Sequence, residues 1–250
     1  MSGHSKWSQI KRQKGAADAK RGQAFTKLGR EITVAAREGG PDPDGNARLR
    51  QAIQRAREAS MPTDTMERAI KRASGNAEGA ALEEVGYEGY GPGGAAVLVA
   101  ALTDNRNRAV AEIRSAFTRA GGSLGESGCV AWLFEQRGVI AIEDGGRDPD
   151  ELGLQAIDAG AEDVRVEDGI IEVLTLPVDL ETVRTALEGQ GVKVASAETA
   201  LVPKTTIPLD DRNAVATLRL MERLEELDDV QRVYTNLEIS ESALRAYGER

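Results

Sequence analysis

The side chains that carry out acyl transfer or bind zinc are scarce in this sequence. The 250 residues include one histidine, His4, and one cysteine, Cys129. A Ser/His/Asp or Cys/His catalytic arrangement would have to use His4, and structural zinc needs about four nitrogen or sulfur ligands. We therefore predict that the protein is not an enzyme and that it uses no cofactor and no metal. This count does not address a magnesium site built only from carboxylates.

Two other motifs have the residue types of a chemical site but are better explained as turns. Asp228 and Asp229 are adjacent, so their side chains diverge, which favours a solvated turn over a shared metal or an acid/base pair. The segment Gly89–Gly94 is rich in glycine, but it contains Pro92 and precedes a strand. A dinucleotide fingerprint must instead follow a strand and open a helix, so turn chemistry is the better interpretation.

A third motif, Thr103–Arg108, joins a predicted strand to a predicted helix. We expect Asp104 or Asn105 to cap that helix. Arg106 and Arg108 are predicted to form a secondary, weaker anion contact.

Charge is divided unequally along the chain. Residues 1–75 contain 16 Lys and Arg against 8 Asp and Glu, and residues 76–250 contain 16 against 33, which gives net charges of +8 and −17. This asymmetry predicts a basic module that meets a polyanion, attached to an acidic body that does not. The predicted nucleic-acid contacts are His4, Lys6, Trp7, Lys11, Arg12, Lys14, Lys20, Arg21, Lys27, Arg30, Arg48 and Arg55.

The densest part of the basic module is its first 30 residues, in which Asp18 is the sole carboxylate. Trp7 and Ile10 are interleaved with the cations there. An aromatic ring among cations can stack on a base, or it can pin the segment to its own domain, and the sequence leaves both interpretations open. A solvated tail is the plain alternative for the charges. We predict that residues 1–22 form a flexible arm.

The rest of the basic module has the periodicity of helices. Three helices are predicted, beginning near Ala24, Asn46 and Pro62, and together they form a small bundle over residues 23–78. Asn46 is an expected N-cap, and Met61 and Met66 are expected in the core.

Beyond Gly75 the chain turns acidic and rich in β-branched residues. Residues 139–200 have the order β-α-β-β-α-β of a ferredoxin-like sandwich. We predict an α+β fold of three domains, in which an inserted ferredoxin-like domain (137–202) interrupts a discontinuous α+β domain (79–136 and 203–245). In the latter we expect Trp132 in the core and the following elements: strand Ala95–Thr103, helix Ala109–Ala120, strand Val130–Phe134, helix Arg212–Leu227 and strand Val230–Tyr234.

The compartment follows from two simple counts. A single cysteine allows no intrachain disulfide, which favours a reducing compartment, and we predict the cytoplasm. The longest apolar run, Ala95–Leu102, has eight residues, whereas a membrane span needs about 20. We expect no membrane contact and no small-molecule substrate.

Several longer motifs resemble the YebC family over almost the whole chain. They are Gly3–Trp7, Asp18–Gly22, Phe25–Leu28, Met61–Pro62 with Glu67–Ile70, Tyr87–Gly94, Leu102–Arg108, and Asp228–Gln231 with Val233–Tyr234. One departure is Ala47, where the family pattern has proline after asparagine. The resemblance implies a helical domain followed by two α+β domains, and a role in gene expression.

Members of the family have been described as DNA-binding transcriptional regulators. Others, including a mitochondrial translational activator of cytochrome oxidase, resemble ribosome-associated factors that assist difficult peptide-bond formation. The first hypothesis for this chain is therefore a translation factor that binds ribosomal RNA through its basic arm and helical domain. The alternative is a regulator of transcription that binds duplex DNA, with the helix at 46–58 as its reading element.

Overall fold

The computed structural model describes Trp7 and residues 18–74, 82–167 and 170–248. Within these ranges the chain forms eight helices and two four-stranded antiparallel sheets. The predicted α+β class, a helical bundle followed by two α+β units, is confirmed. No helix among the described residues is long and apolar enough to cross a membrane.

The helical domain contains α1 (Asp18–Gly39), α2 (Ala47–Glu58) and α3 (Thr63–Ser74). Helix α1 begins before the predicted Ala24 and takes in the last residues of the predicted flexible arm. As predicted, Asn46 caps α2, since its side-chain oxygen accepts the Leu49 N–H at 3.0 Å. Its amide group also donates to the Ala35 and Gly40 carbonyls, which ties the start of α2 to α1.

The core of this bundle is formed by the apolar face of each helix. Met61 and Met66 are buried in it, as predicted. Gly39 lies so close to Asn46 that an added Cβ would stand 2.6 Å from its amide, so the capping contact requires glycine there.

The two α+β units contain the remaining elements. The first half of the chain beyond residue 82 has β1 (Glu83–Tyr90), β2 (Ala96–Thr103), α4 (Arg106–Ala120), β3 (Ser123–Leu124), β4 (Phe134–Glu143) and α5 (Pro149–Asp158). The second half has β5 (Asp163–Glu167), β6 (Ile170–Thr175), α6 (Leu180–Gly189), β7 (Val194–Pro203), β8 (Ile207–Pro208), α7 (Asp211–Glu225), β9 (Val230–Thr235), β10 (Leu237–Glu238) and α8 (Glu241–Gly248).

The sheets show how the chain leaves one unit and returns to it. The first sheet has the order β3-β1-β2-β9, so β9 pairs with β2 although the whole second sheet lies between them in sequence. The second sheet has the order β5-β6-β4-β7, the antiparallel arrangement of a ferredoxin-like sandwich. The predicted residue bounds of the domains stay a prediction.

The side chains of β2 alternate between two faces, so this strand contacts the helices on one side and the second sheet on the other. Val97 and Val99 face the helices α4 and α7, whereas Ala96 and Leu98 face the second sheet. There they pack in a shared apolar cluster with residues of the second sheet and its approach: Val130, Phe134, Val139, Leu174, Ala200 and Val202.

The predicted strand Val130–Phe134 is wrong. Residues Ala131–Leu133 form a short 3-10 turn, and the strand begins only at Phe134. The reason is the buried carboxylate of Glu88, which accepts the backbone N–H groups of Val130 and Ala131 at 2.8 and 2.7 Å. Donors held in this way are not available to a strand ladder. The core prediction for Trp132 is also wrong, because its side chain is 65% exposed.

The glycine-rich segment is a turn, as predicted. Pro92–Gly94 form one 3-10 turn, in which Gly93 and Gly94 have φ values of 75° and 89°. These left-handed conformations favour glycine, and they reverse the chain between β1 and β2.

Candidate nucleic-acid interface

Part of the predicted interface falls outside the described residues. This applies to His4, Lys6, Lys11, Arg12 and Lys14, which stay predictions.

Lys20 and Arg21 belong to the first turn of α1, and only their backbone is described. Their contacts therefore stay predictions as well.

Trp7 does not offer its ring to a ligand in this structure. Its side chain is 1% exposed and belongs to the core of the discontinuous α+β domain. The ring packs edge-on against Tyr247 with centroids 5.8 Å apart, and Nε1 donates to Glu225 at 3.0 Å. The sequence left open that Trp7 pins the segment to its own domain, but the ring packs into the α+β body and not into the core of the helical domain. Its assignment as a stacking residue is corrected accordingly.

This burial makes Trp7 a stability determinant. We expect Trp7→Ala to lower the free energy of unfolding by about 3 to 5 kcal/mol, the range for truncating a large buried aromatic side chain. Trp7→Phe should cost less, because it keeps most of the apolar contact and loses the bond to Glu225. Urea unfolding followed by circular dichroism measures both. An alanine variant as stable as the parent would place the ring outside the core.

Helix α1 docks on the acidic body through one face. Gln23, Lys27 and Arg30 are spaced by four and three residues and so point in nearly the same direction. Gln23 donates to the Asp228 carboxylate at 3.1 Å, Lys27 to the Glu225 carbonyl, and Arg30 to the Asp228 carbonyl at 2.8 Å. Lys27 and Arg30, which were predicted to contact phosphate, are therefore used to hold the helical domain against the turn between α7 and β9.

At the centre of this docking surface lies the buried carboxylate of Asp229, with its side chain 3% exposed. It accepts Arg30 at 2.8 Å from the helical domain, and Arg108 at 2.8 Å and Thr103 at 2.9 Å from the body. Burial alone would raise the pKa of Asp229, but these donors outweigh it and hold the pKa below its ordinary value. The predicted solvated turn is thus correct for the exposed Asp228 and wrong for Asp229.

A cleft of about 480 Å³ opens beside Asp229. Arg108 lines it and also pairs with Asp104 at 2.6 Å, so carboxylates already occupy its guanidinium. Asn105 caps α4 by accepting the Arg108 N–H at 3.0 Å, which confirms the predicted cap. Arg106 pairs with Glu83 and remains 66% exposed. Of the predicted secondary anion contacts, Arg106 is therefore the more accessible.

Arg48 and Arg55 are also engaged within the protein. Arg48 pairs with Glu38 and with Glu84 of β1, and Arg55 pairs with Glu31 of α1. Burial lowers the pKa of Arg55, and the Glu31 carboxylate only partly opposes this effect. Arg55 is 20% exposed, and its phosphate contact stays a prediction.

The junction that Arg55 enters involves all three domains. Arg232 of β9 pairs with Glu198 of β7 at 2.6 Å, and both of these side chains interact electrostatically with Arg55. A charge network of this kind fixes the orientation of the helical domain on the body, because a buried charge without its partner is costly.

The cations that remain outward-facing are different residues. Arg50 and Arg57 are exposed on α2 and, at 100° per residue, lie about 160° around the helix from Arg48 and Arg55. Among the described residues, the exposed cations of the helical domain that form no ion pair are Arg37, Arg50, Arg57, Arg68, Lys71 and Arg72.

Sequence reasoning missed these residues. Arg68, Lys71 and Arg72 share one face of α3, as Arg50 and Arg57 share one face of α2. The arginines of α2 form two pairs with a spacing of seven residues, Arg48 with Arg55 and Arg50 with Arg57. This periodicity was the signal for an arginine face that the sequence offered. It does not indicate which pair faces the body.

Two family models match the chain. Residues 5–76 match the model described as the TACO1/YebC protein N-terminal domain, and residues 82–237 match the model described as the TACO1/YebC second and third domain. The chain belongs to the TACO1/YebC family. The resemblance found in the motifs is thereby confirmed.

Relatives in this family are similar along their full length. A protein of Dehalococcoides mccartyi named a probable transcriptional regulatory protein is 56% identical over 99% of this chain and 98% of its own. A protein of Moorella thermoacetica with the same name is 57% identical over 96% of each chain. The crystal structure of a conserved hypothetical protein from Aquifex aeolicus is 48% identical and superposes with a TM-score of 0.81, covering 90% of this chain and 93% of that one.

The motifs that carry the TACO1/YebC resemblance meet at the docking surface. Phe25–Leu28 contributes Lys27, Leu102–Arg108 contributes Thr103 and Arg108, and Asp228–Gln231 contributes the two carboxylates. Several of the motifs that identify the family therefore form the contact between the helical domain and the acidic body.

Proposed function

We propose that this protein is a non-enzymatic, nucleic-acid-binding regulator of gene expression that binds ribosomal RNA as a translation factor. The observation that carries the proposal is the sorting of charge within the helical domain. Arg30 and Arg48 pair with carboxylates of the acidic body and Arg55 pairs with Glu31 of α1, while a second set of cations faces outward. Exposed arginines and lysines that form no ion pair with the described residues suit phosphate, which supplies most of the affinity in sequence-independent nucleic-acid binding.

RNA suits this arrangement better than a DNA groove. A groove-reading helix must present side chains to base edges. Arg48 pairs with Glu84 of the body and Arg55 pairs with Glu31 of α1, so two of the residues that the DNA hypothesis required are occupied. Outward cations on separate helices instead fit the irregular phosphate backbone of folded RNA, where shape and phosphate contacts dominate.

One observation favours a second candidate, a regulator that binds duplex DNA. Arg50, Gln54 and Arg57 are exposed on the same side of α2, and these residue types contact bases in the major groove. The names of the relatives, probable transcriptional regulatory proteins, point the same way.

The family resemblance refines the proposal. It suggests that the protein assists difficult peptide-bond formation on the ribosome, with the acidic domains approaching proteins or a functional centre. The cytoplasmic location predicted from the single cysteine is part of this proposal.

The outward face of α2 tests the proposal in the full-length chain. Arg50→Gln with Arg57→Gln should weaken binding to a ribosomal RNA fragment and reduce the slope of log K against log salt by about 1.5, since each lost phosphate contact removes about 0.7 to 0.9. Fluorescence anisotropy at several salt concentrations measures both quantities.

A matched control is available on α4. Arg114 and Arg119 are exposed arginines of the acidic body, and Arg119 lies in the last helical turn as Arg57 does. Arg114→Gln with Arg119→Gln removes the same charge and should leave both affinity and slope nearly unchanged. Equal effects of the two double variants would mean that only net charge matters, and the proposed face would be wrong.

A further inference from the structure

The second tryptophan of the chain lies at the surface, although large apolar side chains are usually buried. Trp132 lies in the 3-10 turn before β4 and is 65% exposed, and Tyr90 at the end of β1 is 39% exposed. Large aromatic side chains bury substantial apolar area when they are inside, so an exposed tryptophan forgoes that stabilisation. An exposed ring that is also held in place is a feature of binding surfaces.

The Trp132 ring is held by hydrogen bonds. Its Nε1 donates to the Cys129 carbonyl at 3.1 Å, and the Tyr90 hydroxyl donates to the same carbonyl at 3.1 Å. The indole N–H is therefore satisfied within the protein, and what the side chain presents to solvent is its apolar face.

The loop beneath the ring is fixed as well. The Glu88 carboxylate, buried at 8% exposure, accepts the N–H groups of Gly128, Val130 and Ala131 at 2.7 to 2.8 Å. Burial alone would raise the pKa of Glu88, but the three backbone donors lower it overall, so the clamp is ionised at neutral pH. Little conformational entropy remains for a ligand of Trp132 to remove.

A cation contacts the backbone of Trp132. The side-chain ammonium of Lys204 donates to the Trp132 backbone carbonyl at 3.0 Å. The backbone N–H of Lys204 donates to the Leu133 carbonyl at 2.8 Å. Lys204 is exposed. The same surface therefore presents an aromatic face and a positive charge that is bonded to the backbone of the aromatic residue.

We infer that Trp132 is a stacking platform for an unpaired nucleobase and that Lys204 contacts the neighbouring phosphate. This inference rests on the proposed function and adds to it a contact on the acidic body. Stacking tolerates any base, because every base has a π-face. An apolar protein segment would instead need a continuous apolar groove, whereas Lys204, which contacts the Trp132 backbone, and Glu126 and Ser127, which precede the turn, are exposed and polar.

The two tryptophans make the test direct. Trp7 is 1% exposed and Trp132 is 65% exposed, so the emission that Trp132→Phe removes belongs to the exposed ring. Single-stranded oligoadenylate added to the full-length protein should quench that emission. A duplex RNA of equal length should bind without quenching, because its bases are already stacked on one another.

Affinity variants give an independent readout. Trp132→Ala should weaken oligoadenylate binding about tenfold, within the range for stacking aromatic side chains, whereas Trp132→Phe should stay within about twofold. Lys204→Gln should reduce the salt slope by about 0.7. Since Trp132 is exposed, thermal unfolding of the alanine variant should match the parent. If the variant does not fold, quenching in the parent protein still decides the question.

The outcomes separate this inference from the proposed function. Oligoadenylate that binds in a salt-dependent way, with Trp132 emission unchanged and Trp132→Ala equal to the parent, would overturn the platform alone and point to a protein segment as the ligand of this surface. A protein that binds neither ribosomal RNA nor oligoadenylate would overturn both.

Discussion

Replacing Asp229 by alanine is expected to lower the free energy of unfolding by about 3 kcal/mol, because it leaves two arginines from different domains without their shared carboxylate. Removal of one partner from a fully buried pair costs about 3 to 5 kcal/mol, and we expect the lower end. Arg30 and Arg108 are 24% and 42% exposed, so water can partly replace the lost carboxylate. Chemical denaturation of the full-length chain measures the difference.

The pH dependence of this effect has a definite sign. The folded pKa of Asp229 lies below its ordinary value, so its contribution is fully present above the unfolded pKa of about 3.9 and is lost as pH falls toward the folded pKa. The stability difference between the parent and Asp229→Asn should therefore be constant from neutral pH to about pH 5 and shrink below about pH 4.

The neighbouring carboxylate is the control. Asp228 is exposed, and Asp228→Asn should change stability by no more than about 0.5 kcal/mol. If Asp228→Asn and Asp229→Ala destabilised the chain equally, the loss would reflect net charge and not the buried contact between domains.

Neutralising the arm is expected to have the largest effect on binding. Changing Lys11, Arg12, Lys14, Lys20 and Arg21 to glutamine should reduce the salt slope by roughly 3 to 4 if all five contact phosphate. These residues carry most of the +7 charge of the first 30 residues, and their side chains lie outside the part of the chain that the structure describes. A decrease of this size corresponds to the loss of most of the affinity at physiological salt.

Two measurements distinguish the proposed functions in this variant. Under the ribosomal hypothesis, co-sedimentation with ribosomes is lost in parallel with affinity for ribosomal RNA, and preference among duplex sequences does not change. An unchanged salt slope with an altered preference among duplex sequences would place these side chains at base edges. The DNA-binding regulator would then be the better account.

Local sequence patterns were sufficient for several elements of the fold. The order β-α-β-β-α-β of the inserted unit could be derived from alternation and helical periodicity, because each element has an apolar face of its own. The Asn46 cap is another local feature, since the side chain bonds an N–H three residues further along. Strand β1 was not predicted, because Gly86 and Gly89 interrupt the alternation of side chains along it.

The two tryptophans show where local patterns fail. Trp7, which lies among cations, is in the core, and Trp132, which lies between apolar residues, is exposed. Burial depends on what the rest of the chain brings to a side chain. Tyr247 covers Trp7 from the far end of the sequence, and Glu88 holds the loop that turns Trp132 outward.

By itself the sequence determined the class of the fold, the family, and the separation of a basic module from an acidic body, since these depend on composition, periodicity and motif spacing. Only the tertiary structure decided which cations are available to a ligand. Arg48 and Arg50 look alike in sequence, but Glu84, 36 residues beyond Arg48, pairs with the first and leaves the second outward. Ion pairs form between side chains that folding brings within a few ångströms, and sequence distance does not encode that proximity.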